Sequence, residues 1–336
     1  MKIFMIGTQR SGSNLLRLMM NQSPEISAPH PPHILERLMP LVTGYGDLSK
    51  NSNFELMIDD ACRLVELNPE PWEGVVLDRA NIKARCKNRT LVSVCGAIYD
   101  LCAKVNHASS WCCKSLANVN YLNEIETCFG KEARYIHLYR DGRDVALSFT
   151  KAIVGEKHIY HIAQCWASDQ RLALAQRKLI EPSRFYGVSY EKLTSEADTT
   201  IKGLCNFLEI DYTPSMLESE KSKDAQSVSQ KSVLWENVAK PLMTNNFNKF
   251  LEKMSAEDIR LFELVAGDIL DELGYPRFHS SVGETKIFST KDIQEFSMEN
   301  ERLKTSFNEK VDPEDKKRRE TQASLIKEIK ARQASV

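Results

Sequence analysis

The 336-residue sequence has no long apolar run. No window approaches the ~18 apolar residues that a membrane-crossing helix needs, so no span is expected. The opening MKIFMIG is too short for a signal-peptide core and runs into a glycine loop instead of a cleavage site, which points to a cytoplasmic protein. Net charge is lacking too. Forty-five Lys and Arg stand against 46 Asp and Glu, and the resulting −1 gives no global field for nucleic acid. Nine cysteines are present, but no C-x-x-C pair is formed, although Cys112 and Cys113 are adjacent. A zinc-binding cysteine framework is thereby excluded, and reduced buried thiols are expected. Internal repeats are also missing.

One more absence is informative. Residues 7–14, GTQRSGSN, follow the apolar run Ile3–Ile6 and precede a helical pattern in Leu15, Leu16, Leu18, Met19 and Met20. A strand, a glycine loop and a helix in that order let backbone N–H groups and a helix N-terminus surround an anion. In a nucleotide triphosphatase the second glycine is followed by Lys and Ser/Thr, which reach the β/γ-phosphates and Mg²⁺. Here Ser13 and Asn14 stand in those places, and Arg10 is the loop's one cation. The loop suits a terminal phosphate held without magnesium, so no metal is expected. A merely structural turn is the alternative.

Residues 23–33, SPEISAPHPPH, form a proline-rich connector, and 34–130 read as mostly helical. ARYIHLY at 133–139 reads as a second buried strand, and RFYGVSYEKL at 184–193 as a third strand with its exit. Residues 200–210 have an amphipathic helical pattern. Ser255 and Gly274 mark the start and stop of a later helix. Strands separated by helices predict an α/β fold, a central parallel sheet flanked by helices, with the ligand at the carboxyl ends of the strands. The domain is read as 1–280. Residues 281–336 are a charged tail: a polar helix broken at Pro313, either solvated or serving in docking or homo-oligomerisation.

The segment LYRDGRDVALSF carries Arg140 at a strand end, Asp144 as the expected cap of the next helix, and Ser148 two turns on. An arginine fork and a serine hydroxyl suit one phosphate group. An ordinary Arg–Asp surface pair would look the same.

With the first loop, this segment resembles the PAPS-dependent sulfotransferases, in particular the bacterial and protein-tyrosine branches; PAPS is 3′-phosphoadenosine 5′-phosphosulfate. QRSGSN resembles the family's 5′-phosphosulfate loop, with Asn14 where threonine is usual. Arg140 and Ser148 have the spacing of its 3′-phosphate pair, and VSYEKL…CNFLEI resembles its third element, with Tyr190 on the adenine side. The glycine-rich box of the small-phenol branch is absent.

The resemblance implies transfer of a sulfuryl group from PAPS to a hydroxyl or amine of a small molecule, glycan, lipid or peptide. It implies that Arg10, Ser11, Gly12, Ser13, Asn14, Arg140, Ser148, Tyr190 and Lys240 hold the donor. Lys114 resembles the lysine of a W-x-x-K segment, and Ser227 or Ser229 is a further donor. Both lysines equally fit exposed surface, and Trp166 fits core packing better than adenine stacking. Where the protein-tyrosine branch has a glutamate base, this chain has PHPPH, so His30 is the first candidate base, with His33 and Glu36 behind it. A P-loop kinase or NTPase, and a non-catalytic binding protein on the same fold, are the competing readings.

Overall fold

The computed structural model describes residues 1–230, 237–309 and 313–334. Five strands, β1 (Lys2–Gly7), β2 (Ile26–Ser27), β3 (Ser110–Cys113), β4 (Ala133–Tyr139) and β5 (Phe185–Ser189), form one parallel sheet in the order β2-β3-β1-β4-β5. In β1, Phe4 and Ile6 join one core cluster while Ile3 and Met5 join another. The strand is apolar throughout because both of its faces are covered.

The first face carries α2 (Ile34–Leu38), α3 (Asn51–Glu66), α4 (Arg79–Arg85), α5 (Leu91–Val105) and α6 (Leu122–Phe129), and the opposite face carries α1 (Ser13–Met20). After β4 come α7 (Gly142–Phe149) and α8 (Ile159–Arg177), and after β5 come α9 (Tyr190–Ser195) and α10 (Ala197–Leu208). The chain continues through α11 (Lys223–Ser229), α12 (Phe250–Lys253) and α13 (Ala256–Leu273) to the tail helices α14 (Thr290–Asn308) and α15 (Pro313–Ala334). A third core cluster joins α7, α8 and α13. Ser255 caps α13 and Gly274 closes it in the left-handed region, as its sequence signals indicate.

Strand order reverses beside β1, so the loops after β1 and β4 lie side by side at the carboxyl edge. Pairing of Gly7 with Leu138 fixes that proximity.

Three readings are corrected. The connector 23–33 contains β2, two residues long at the sheet edge, where a proline-rich neighbourhood costs no ladder bond. The span read as helical also contains β3, whose SWCC is buried throughout and therefore shows no alternation. The tail is not a solvated appendage. Leu325 and Ile329 of α15 are buried in the first cluster, Arg63 pairs with Glu328 at 2.7 Å, and Arg332 pairs with Asp60.

Candidate active site

The loop after β1 is shaped by two glycines. Gly7 has φ +132°, and an added Cβ would lie 2.2 Å from the Leu138 carbonyl oxygen. At Gly12, φ is +89° and a Cβ would strike the Tyr190 ring at 2.4 Å. Both positions need a residue without a side chain. Helix α1 then starts with no side-chain cap bond and no acid in its first turn, which leaves its N–H groups to an anion. The buried Ser11 hydroxyl has no protein hydrogen-bond partner.

The facing wall comes from the end of β4. Asp141, not Asp144, caps α7 by accepting from the Arg143 N–H. Asp144 instead accepts from the Phe250 N–H at 3.0 Å and faces Arg140 at 3.5 Å. It lies within the first turn of α7. Arg140 donates to the carbonyls of Arg10 at 3.3 Å and Asn246 at 2.8 Å, and its guanidinium lies 4.4 Å over the Tyr190 ring. Its Nε has no partner. Arg10 donates to the Ser148 hydroxyl at 3.0 Å, so the two elements singled out from sequence meet.

Between these walls is a cleft of about 430 Å³. Arg10, Gly12, Ser13, Asn14, Arg140, Ser148, Tyr190 and Lys240 all line it. Lys151, Lys249 and Lys253 add further positive charge, against the single carboxylate of Asp144. Burial and the neighbouring Arg140 cation push Arg10 below its ordinary value. A cleft so rich in cations, with Arg10 partly desolvated among them, favours an anionic ligand. Ser227 and Ser229 do not line the cleft, and residues 231–236 lie outside the described chain. Trp166 is fully buried against Phe262 in the third core cluster, away from the cleft.

A second cleft of about 420 Å³ opens on the other side of the same loop, at Thr8 and Gln9. His33 and Glu36 form one wall. The His33 Nδ1 is 2.8 Å from Glu36 Oε2 and 3.0 Å from the Ser115 hydroxyl. These contacts keep the Glu36 carboxyl below its ordinary value despite burial. His30 lines neither cleft, and its ring nitrogens are shielded from solvent. Burial, with Lys114 and Arg17 nearby, pushes it well below the usual histidine range. Lys114 is buried and donates to Asn14 Oδ1 at 2.8 Å; burial and the adjacent arginines lower it to about 7.

Asp169 on α8 forms part of the opposite wall and escaped sequence reasoning. A lone carboxylate on a helix looks solvated in sequence; here burial raises it to about 7, against a hydrogen bond from Thr8. A chain of donors fixes that bond. His137 Nε2 lies 2.7 Å from Gln170 Oε1, and Gln170 Nε2 donates to the Thr8 hydroxyl at 3.1 Å. The Thr8 proton is then left for Asp169.

Among the described residues no cluster of His, Cys, Asp and Glu has the makings of a metal site, and no helix is long and apolar enough to cross a membrane.

The sequence and the fold are similar to those of known proteins. An uncharacterised protein of Aquifex aeolicus is 25% identical over 233 residues, which cover 66% of this chain and 27% of that protein, so the chain spans about a quarter of that relative's length. The fold is similar to the sulfotransferase domain of the Synechococcus PCC 7002 olefin synthase, with a TM-score of 0.52 and 19% identity over 78% of this chain and 92% of that one. It is also similar to the sulfotransferase domain of the curacin biosynthetic pathway, with a TM-score of 0.50 and 19% identity over 82% and 97%. The model of the sulfotransferase family matches residues 2–214, from β1 through the end of α10, and the chain belongs to that family.

Proposed function

We propose that the chain is a PAPS-dependent sulfotransferase acting on a hydroxyl or amine acceptor. The observation that carries this reading is the first cleft, where desolvated Arg10 meets Arg140 at the uncapped N-terminus of α1, while the buried Ser11 does not line it. These groups fit a ligand with separate 5′ and 3′ anionic groups. Arg10, the α1 N-terminus, Ser13 and Asn14 would hold the 5′ end, Arg140 and Ser148 the 3′-phosphate, with Tyr190 on the adenine side and Lys240 on the outer wall. PAPS supplies a sulfuryl group on a phosphate leaving group; in-line attack by the acceptor yields adenosine 3′,5′-bisphosphate.

Arg10 and Lys114 would place positive charge where the leaving phosphate gains negative charge. The proton acceptor best placed is His33. With Nδ1 turned to Glu36, its Nε2 is left for an acceptor proton, an arrangement in which the carboxylate orients the base. His30 stands behind it. The second cleft then receives the acceptor.

The test is transfer of ³⁵S from labelled PAPS to a panel of phenols, aliphatic alcohols, amines, glycans, lipids and peptides. Acceptor-dependent label transfer supports the reading, and His33→Ala should slow it ~10²–10⁴-fold, the range for a lost general base. Intact activity in His33→Ala with loss in His30→Ala would move the base to His30. No transfer, but consumption of ATP–Mg²⁺, would overturn the reading in favour of a kinase.

A further inference from the structure

The acceptor-side cleft has a wall of unusual construction. Val154, Gly155 and Glu156 in the loop between α7 and α8 form it, with Phe149 at its base. Inside the loop, Lys157 Nζ donates to the carbonyls of Phe149 at 3.1 Å, Val154 at 2.9 Å and Gly155 at 3.3 Å. The loop is thus wrapped around a buried ammonium. Its outer hold comes from α14. Asn300 Oδ1 accepts from the backbone N–H of Lys157 at 2.8 Å and of His158 at 3.0 Å, and Asn300 Nδ2 donates to Glu156. Lys304 lies 3.5 Å from Glu156, and Phe296 stacks on His158 at 4.8 Å.

Asn300 is the one buried residue of α14, at 4% exposure. A helix needs only apolar side chains to dock. A buried amide with both ends satisfied by one loop's backbone and acid fixes a register instead. This helix lies beyond the stretch matched by the family model, which ends at residue 214.

We propose that Asn300 is a positioning residue for the acceptor: through it, the C-terminal tail holds loop 150–158 as the outer wall of the acceptor cleft and keeps bulk water from the sulfuryl group. The proposal rests on reading that cleft as the acceptor site. It makes the tail part of the site. An acceptor has to fit between a tail-held wall and the His33–Glu36 wall of α2.

The experiment compares the full chain with Asn300→Ala and Asn300→Asp. Backbone hydrogen exchange at Lys157 and His158, affinity for adenosine 3′,5′-bisphosphate, and acceptor-independent breakdown of PAPS are measured on each. In Asn300→Ala, exchange at the two amides should rise roughly tenfold, as expected for one lost hydrogen-bond partner. PAPS breakdown by water should rise several-fold, with bisphosphate affinity unchanged within about twofold, because the residues that Asn300 holds, Glu156, Lys157 and His158, do not line the donor cleft, which Lys151 alone of this loop reaches. Asn300→Asp keeps an acceptor oxygen for both amides but sets a second carboxylate against Glu156, so its protection should fall between wild type and Asn300→Ala, which also covers the case where the alanine variant folds poorly. Normal bisphosphate binding with unchanged exchange, or with faster exchange and unchanged water attack, would overturn the proposal alone. A wild-type chain that binds no bisphosphate would overturn the donor reading, and the positioning role with it.

Discussion

Lys114 and Asp169 carry the sharpest consequences at the scale of single residues. Burial and neighbouring arginines bring Lys114 down to about 7, so near neutral pH it is only partly charged until an anion arrives. An anion at the Asn14 side of the donor cleft restores its charge. Binding of adenosine 3′,5′-bisphosphate at pH 8 should therefore take up close to one proton, read as a dependence of calorimetric enthalpy on buffer ionisation, and Lys114→Met should abolish most of that uptake. Asp169 works in the opposite sense. Between the ordinary 3.8 and about 7, the folded chain keeps a proton that the unfolded chain has released, so stability falls as pH rises across that window. Asp169→Asn removes this loss. Its stability relative to wild type should improve from pH 4 to pH 8, by on the order of a few kcal/mol, in urea titrations at both values. Equal differences at the two pH values would contradict the buried-acid assignment. Asp169 does not announce itself in sequence, and Lys114 is marked there only by its resemblance to the lysine of a W-x-x-K segment, not by its burial. Lysine and aspartate are ordinarily exposed, and only the packing of β3 and α8 against the loop desolvates these two.

At the scale of elements, the unit of strand, glycine loop and helix was the most legible part. Its apolar strand, two glycines and helical pattern are all local, and the structure needs a glycine at both positions for steric reasons visible at Leu138 and Tyr190. The spacing from Arg140 to Ser148 was legible for the same reason, since one helix sets it. The cap was misassigned because Asp141 and Asp144 are both good cap residues, and only the backbone turn decides between them. β2 was missed because it is two residues long within a proline-rich connector, and β3 because its four residues are all buried and show no alternation. A coupling between elements also lay beyond reach: buried Arg17 of α1 pairs with Asp224 of α11 at 2.6 Å and donates to the Ala28 carbonyl. Asp224→Ala leaves that guanidinium buried without a counter-ion, and should cost about 3 kcal/mol in denaturant unfolding. Replacing both residues, Arg17→Met with Asp224→Leu, should recover most of the loss; no recovery would mean that the pair acts through something other than charge.

For the whole molecule, the tail changes the picture most. Its sequence is so polar that a solvated arm is the natural expectation, yet Leu325 and Ile329 complete the first core cluster and Gln322 donates to the Leu64 carbonyl at 2.7 Å. A few well-placed contacts in a charged helix leave almost no periodic trace. Deleting 281–336 should therefore lower the melting temperature, with Asp60 losing its Arg332 partner, and should not merely alter assembly. An unchanged melting temperature would show the tail to be dispensable for the fold. The sheet places two clefts on either side of one glycine loop, a cationic one and a mixed one, which the proposed function assigns to donor and acceptor.

That division makes the donor cleft the first thing to test. Thermal stability is measured with adenosine 3′,5′-bisphosphate and, separately, with ATP–Mg²⁺. At ~100 times its dissociation constant, the bisphosphate should add ~2.7 kcal/mol, and Arg140→Ala should lose that gain. Stabilisation by ATP–Mg²⁺ alone would contradict the account and return the chain to the kinase reading.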